Sequence, residues 1–110
     1  MTELIVVEMV RNDLNPSIEA TLTRKDGSIV DLTGCTAKFH LKKGDILLID
    51  KAAVILTPPT DGKVRFDWTS GDTNITGLCK AEFEITFADA KIFTFPAKDE
   101  FYIIFREELG

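Results

Sequence analysis

The sequence predicts an all-β domain, an antiparallel β-sandwich of about eight to ten short strands. Three observations predict it. Valine, isoleucine and threonine make up 29 of the 110 residues and eight phenylalanines join them, the residue types that fit a pleated, half-buried surface. Turn-forming residues leave only strand-sized segments between them, at Asn12-Asp13, Asn15-Pro16, Asp26-Gly27, Gly44-Asp45, Pro58-Pro59, Asp61-Gly62, Gly71-Asp72 and Gly77. No window offers an amphipathic helix of three turns, and the one candidate, residues 69–75, is too polar and too Gly-interrupted to exceed a single turn.

From the amino end, residues 3–10 form an apolar strand of irregular pattern. Ile18, Ala20 and Leu22 alternate with Glu19, Thr21 and Thr23, so successive side chains point to opposite faces. Asp26-Gly27 is a two-residue hairpin turn of type I′, where Gly accepts a positive φ, and it leads into a strand at 28–32. Cys35, Ala37, Phe39 and Leu41 then alternate with Thr36, Lys38, His40 and Lys42. Two further irregular strands are expected at 46–50 and 52–57. Val64, Phe66 and Trp68 alternate with Lys63, Arg65 and Asp67. The longest alternation, Cys79, Ala81, Phe83, Ile85 and Phe87 against Lys80, Glu82, Glu84 and Thr86, follows an aspartate-bearing turn at Trp68–Asp72. A turn of that kind before the longest strand resembles the corner between strands E and F of immunoglobulin-like sandwiches, with Cys79 in place of the expected tyrosine. Asp89-Ala90 is a weaker turn, followed by strands at 91–95 and 101–106.

Hydrophobic residues at 45% and charged ones at 28% describe a folded domain spanning residues 1–110, able to bury a core without a metal or a disulfide framework. Thirteen basic against eighteen acidic residues, a net charge of −5, argue against a nucleic-acid binder, whose phosphate contacts need clustered Lys and Arg. The amino terminus lacks the basic segment and cleavage site of a secretory signal, and no apolar run reaches the length of a transmembrane helix. No membrane association is expected.

Chemistry-bearing residues are sparse. The single histidine, His40, falls between Lys38 and Lys42 on a polar face and reads as a solvated surface residue that nearby lysines would deny a metal cation. Gly-rich phosphate loops and the HExxH, GxSxG and CxxC motifs are absent, so no catalytic residue, cofactor or metal site is expected. Cys35 and Cys79 share the inward register of their strands. They either act as small buried hydrophobes or pair across two sheets, which requires Cα atoms within about 7 Å. Asp45, Asp50, Asp61, Asp67, Asp72, Asp89 and Asp99 recur in loops without the compact DxDxDG cluster of a calcium site, and read as turn formers.

The last strand is unusual, because Phe101, Tyr102, Ile103, Ile104 and Phe105 leave neither of its faces polar. A strand apolar on both faces must be covered on both. Residues 4–7 share that character, and the two terminal segments are expected side by side. Either a partner chain covers them, which makes Phe101–Phe105 the candidate protein contact, or a loop or the strand at 46–49 does.

Taken in order, Pro16 before an alternating strand, Lys25-Asp26-Gly27, Asp31-Leu32-Thr33-Gly34 leading into Thr36-Ala37-Lys38-Phe39, Gly62–Trp68, Gly71-Asp72-Thr73, Gly77–Phe83 and Phe95-Pro96 form one pattern. Over residues 15–105 it resembles the immunoglobulin-like amino-terminal domain of phage and prophage baseplate upper proteins, the BppU amino-terminal family. Departures are Cys79, where an aromatic is usual, and Ala90, where Gly is common. The resemblance implies a structural protein of the virion tail or baseplate, folded in the bacterial host cytoplasm. It also implies assembly with other tail proteins or with copies of itself, commonly around a threefold axis, and it carries over no catalytic residue. A carbohydrate-binding or adhesion sandwich is the alternative. It would expose planar aromatics, yet the chain has one Trp and one Tyr, and Trp68 takes an inward register. An enzyme is disfavoured for want of a nucleophile, base and oxyanion constellation.

Overall fold

Alternation in the sequence is realised as strands whose dry faces converge on one core. The computed structural model describes residues 4–96 and 100–109. Its strands are β1 (Leu4–Val10), β2 (Ile18–Thr21), β3 (Thr36–Lys43), β4 (Ile46–Ile55), β5 (Lys63–Phe66), β6 (Gly77–Thr86), β7 (Ile92–Phe95) and β8 (Glu100–Arg106), with a single 3-10 turn at Pro59–Asp61. Asp99 lies outside the described residues. The strands form one curled sheet in the order β1-β8-β6-β3-β4-β5-β2, and β7 lies beside the second half of β6. Strand β4 makes the corner: residues up to Ala53 pair with β3, whereas Val54 and Ile55 pair with β5. The sheet thereby folds over itself as the two layers of a sandwich.

All four alternating runs keep their expected phase. Ala37, Phe39 and Leu41 on β3, Cys79, Ala81, Phe83 and Ile85 on β6, Val64 and Phe66 on β5 with Trp68 after it, and Ile18 and Leu22 are all buried. The two layers meet at an aromatic cluster. Phe39 of one layer stacks on Phe66 of the other at 4.5 Å, and Trp68 meets Phe39, Phe66 and Phe105 edge-on at 5.8, 5.2 and 5.8 Å. Such contacts add about 0.5–1.5 kcal/mol each beyond area burial. The Trp68 indole N–H donates to the Pro16 carbonyl at 3.0 Å, so its polar end is satisfied inside the core.

Several expectations are corrected. The sheet is mixed, because β1 and β8 run parallel from Leu4 opposite Glu100 to Val10 opposite Arg106. Parallel neighbours need a long crossover, which the rest of the domain supplies. Residues 46–50 and 52–57 are one strand through Ile55, interrupted by a bulge: Leu41 opposes Ile49 and Lys42 opposes Leu47, leaving Leu48 unpaired.

Residues 28–32 are not a strand. Val30 and Leu32 are buried, yet their amides donate to Leu22 and to Pro59, and the sole ladder element between that loop and the segment after β2 is an isolated Thr23–Ile29 bridge among the described residues. The Asp26-Gly27 turn is a three-residue loop, closed by the Arg24 amide on the Ser28 carbonyl at 2.9 Å, with Gly27 at φ 88°. The Phe87–Lys91 turn repeats that form with Ala90 at φ 69° in the left-handed position.

Of the aspartates expected to form turns, Asp72 and Asp89 do, as do Asp26 and Asp31. Asp50 instead lies on β4 beside His40, and Asp67 accepts from the Ser17 hydroxyl and Arg65. Asp26 accepts from the amide and hydroxyl of Ser28, Asp31 does the same with Thr33, and Asp89 accepts the Lys91 amide. Asp72 holds the corner after Trp68 by accepting the amide and hydroxyl of Thr69, both at 2.8 Å, and the Lys51 ammonium at 2.6 Å.

Candidate functional site

The chain's terminal strands lie side by side, and their alternation divides the five candidate contact residues. Phe101, Ile103 and Phe105 point into the core at 3, 0 and 2% exposure, so they anchor β8. Tyr102 and Ile104 face the opposite way and are half-buried. Register puts Val6 beside Tyr102, and Ile104 between Glu8 and Leu78. Leu4, Val6 and Leu78 are 65, 50 and 54% exposed, so β1, β8 and the start of β6 present a contiguous apolar stripe on the outer face. It is bordered by the Arg106–Glu8 ion pair at 2.6 Å and by Lys80, which stands opposite Tyr102. The strand at 46–49 does not cover this face, because β4 lies beyond β3 and β6 in the sheet.

The contribution of Leu78 was not read from the sequence, whereas Val6 lies in the 4–7 segment expected beside the last strand. The signal for Leu78 was present in the alternation of β6, but which strands become neighbours decides whether isolated apolar positions merge into a patch.

Farther across the same outer face, His40 is less exposed than its neighbouring lysines suggest. Register sets it between Glu82 on β6 and Asp50 on β4. Its side chain is 17% exposed, with Nδ1 3.1 Å from Glu82 Oε2 and Nε2 3.1 Å from Asp50 Oδ1. This corrects the reading of a solvated surface histidine. The cause is cross-strand pairing with residues 10 and 42 positions away, which periodicity within one strand cannot show. Beside the imidazole, a hollow of about 340 Å³ is lined by His40, Lys42, Asp45, Leu47, Lys80, Ala81 and Glu82.

Cys35 and Cys79 are free thiols. Cys79 lies on β6 and Cys35 immediately before β3, its neighbour in the same layer, so they do not face each other across the layers. Thr36 opposes Thr86, seven residues along β6 from Cys79, which sets the two cysteines more than roughly 20 Å apart at the rise of an antiparallel strand. Burial pushes the Cys79 thiol up against the opposing influence of Lys43, and burial followed by Asp31 and Asp89 pushes Cys35 up. Neither thiol is disposed to act as a thiolate nucleophile. Trp68, the natural platform for stacking on a sugar, is 5% exposed and committed to the core.

Comparison with known proteins agrees with this architecture. A family model described as the BppU N-terminal domain matches residues 6–97. Among solved structures, the N-terminal domain of phage TP901-1 ORF48 matches with a TM-score of 0.63 at 15% sequence identity, over 96% of this chain and 99% of that one. No curated protein matches the sequence.

Proposed function

The chain belongs to the BppU N-terminal domain family, a family of phage baseplates, and from that premise we propose that it is a non-catalytic building piece of a virion tail, assembled through protein contacts. The single observation that carries the docking reading is the exposed apolar stripe of Val6, Tyr102, Ile104 and Leu78 on the outer face of β1, β8 and β6. Side chains already half-buried gain about half of full burial, roughly 0.8–1.5 kcal/mol each, and several together must outweigh the cost of association. The partner is another tail or baseplate protein. A second copy, in the threefold arrangement the resemblance implies, is the competing occupant.

The reading treats residues 1–110 as one module, with no cofactor and no nucleic-acid ligand. Its support is the continuous sheet, the net charge of −5 and the commitment of Trp68 to the core. Among the described residues no helix is long and apolar enough to cross a membrane.

Co-expression with the tail proteins encoded beside this chain, followed by light scattering of the eluted species, tests the proposal. The expected result is a complex that Val6→Lys with Leu78→Lys weakens at least tenfold while the unfolding midpoint of the isolated chain is kept. A complex of undiminished strength in that double variant would move the docking surface elsewhere. Assembly of the chain alone would identify a second copy as the occupant, and binding on a glycan array without a protein complex would favour the adhesion alternative.

A further inference from the structure

We propose that His40, Glu82 and Glu84 form a binding site for a divalent transition-metal ion of the zinc class, with Asp50 as the positioning residue for the imidazole. The docking proposal is not a premise of this inference. Glu82 and Glu84 are two residues apart on β6 and share its outer face, and His40 stands directly opposite Glu82 on β3. One ligand atom from each lies within 4.8 Å of the others. Zinc holds N and O ligands at about 2.0–2.2 Å, so two ligands at a tetrahedral angle lie roughly 3.4 Å apart. The 3.1 Å between His40 Nδ1 and Glu82 Oε2 is close to that separation, and the Glu84 carboxylate, within 4.8 Å of both, has to move closer to join them.

The second observation is the surroundings of the imidazole. Each ring nitrogen lies 3.1 Å from a carboxylate oxygen, Nε2 from Asp50 and Nδ1 from Glu82. The tautomer whose Nε2–H donates to Asp50 leaves the Nδ1 lone pair beside Glu82 Oε2, where both atoms can ligate one ion. A carboxylate holding the far N–H of a ligating histidine is the usual second layer of a metal site, fixing tautomer and ring orientation. The adjoining hollow leaves room for water to complete the coordination.

An imidazole with two carboxylates selects zinc, nickel or cobalt over calcium and magnesium, which take oxygen ligands almost exclusively. Lys38, opposite Glu84, and Lys42 and Lys80 in the next row oppose the cation and make the site weaker than an enclosed one.

Titration of the metal-free protein with Zn²⁺, followed by calorimetry and by the His40 ring resonances, tests the site. The expected result is one ion per chain, with a rise in unfolding temperature. His40→Ala should abolish binding, Glu84→Gln should weaken it, and Asp50→Asn should weaken it about 10–100-fold without abolishing it. Unchanged unfolding curves of the three variants without metal show that the fold is kept. The proposal is overturned if His40→Ala binds zinc as well as the parent does. It is equally overturned if the His40 ring resonances stay unmoved up to about 1 mM Zn²⁺.

Discussion

Replacing Gly62 with alanine perturbs the seam where the loop before β5 meets the segments on either side of the Lys25–Gly27 turn. Gly62 sits at φ 67°, and a Cβ added there would lie 2.7 Å from the Val30 carbonyl oxygen and 2.7 Å from Ile29 Cγ2. The left-handed conformation costs a non-glycine residue about 1–2 kcal/mol. Displacing a backbone carbonyl in a packed site adds about 1–3 kcal/mol. Stiffening of the unfolded chain by alanine returns about 0.4–1 kcal/mol. The net expectation is a loss of about 1–5 kcal/mol.

The loss should be cooperative, because the Gly62 carbonyl accepts the Leu22 amide at 2.7 Å and the Leu22 carbonyl accepts the Val30 amide at 3.0 Å. Gly44→Ala is the control, since Gly44 has φ 59° with nothing within 4 Å of an added Cβ, and only the conformational contribution applies. Urea unfolding read by the fluorescence of the one tryptophan, Trp68, measures both. A difference between the two variants below about 0.5 kcal/mol, the scatter of ordinary surface substitutions, would refute the steric argument.

Asp72 gives a pH signature. Burial works against its charged form, but Lys51 together with the Thr69 amide and hydroxyl outweighs it and holds the carboxyl below the usual aspartate range. With the folded value depressed, the unfolded chain binds more protons in the window below about pH 4, so this part of the stability is complete above that pH and lost as pH falls through the folded value. Asp72→Asn should therefore cost about 1–3 kcal/mol at neutral pH and flatten the acid limb of an unfolding-against-pH curve; equal slopes for the two proteins would contradict the assignment. For the thiols, alkylation followed by mass spectrometry should modify half-buried Cys35 first and Cys79 only at the rate of unfolding, with no intramolecular disulfide after oxidation. Comparable rates at both positions would show that Cys79 is reachable in the folded state.

The dry faces of β3, β5 and β6 were legible because one side of each strand packs against a shared core and the other meets solvent, so period two survives in the residue types. Strand β4 was not. Ile49 is its only fully buried side chain, and the bulge at Leu48 shifts the phase midway. Val30 and Leu32 mimic a strand because burial selects apolar residues whether or not the backbone is laddered, and here their amides go to Leu22 and Pro59. Strand direction leaves no mark on alternation, so the parallel pairing of β1 and β8 was invisible even though their adjacency was expected. The same limit hid the surroundings of His40. The even phase of β3 and β6 placed His40, Glu82 and Glu84 on polar faces, but only register determines that they face one another.

The parallel pairing also fixes how the domain answers a mechanical load. β1 begins beside Glu100 and β8 ends beside Val10, so a pull on the chain entering β1 and leaving β8 acts from opposite ends of the pair. Such tension slides the strands past each other and stretches all their evenly spaced cross-strand bonds at once, whereas a hairpin pulled at its open end peels one pair at a time. The Arg11–Glu108 bridge at 2.8 Å and the Arg106–Glu8 bridge at 2.6 Å sit as rivets near the exit of that clamp. A domain wired this way yields late under tension applied through its two terminal strands.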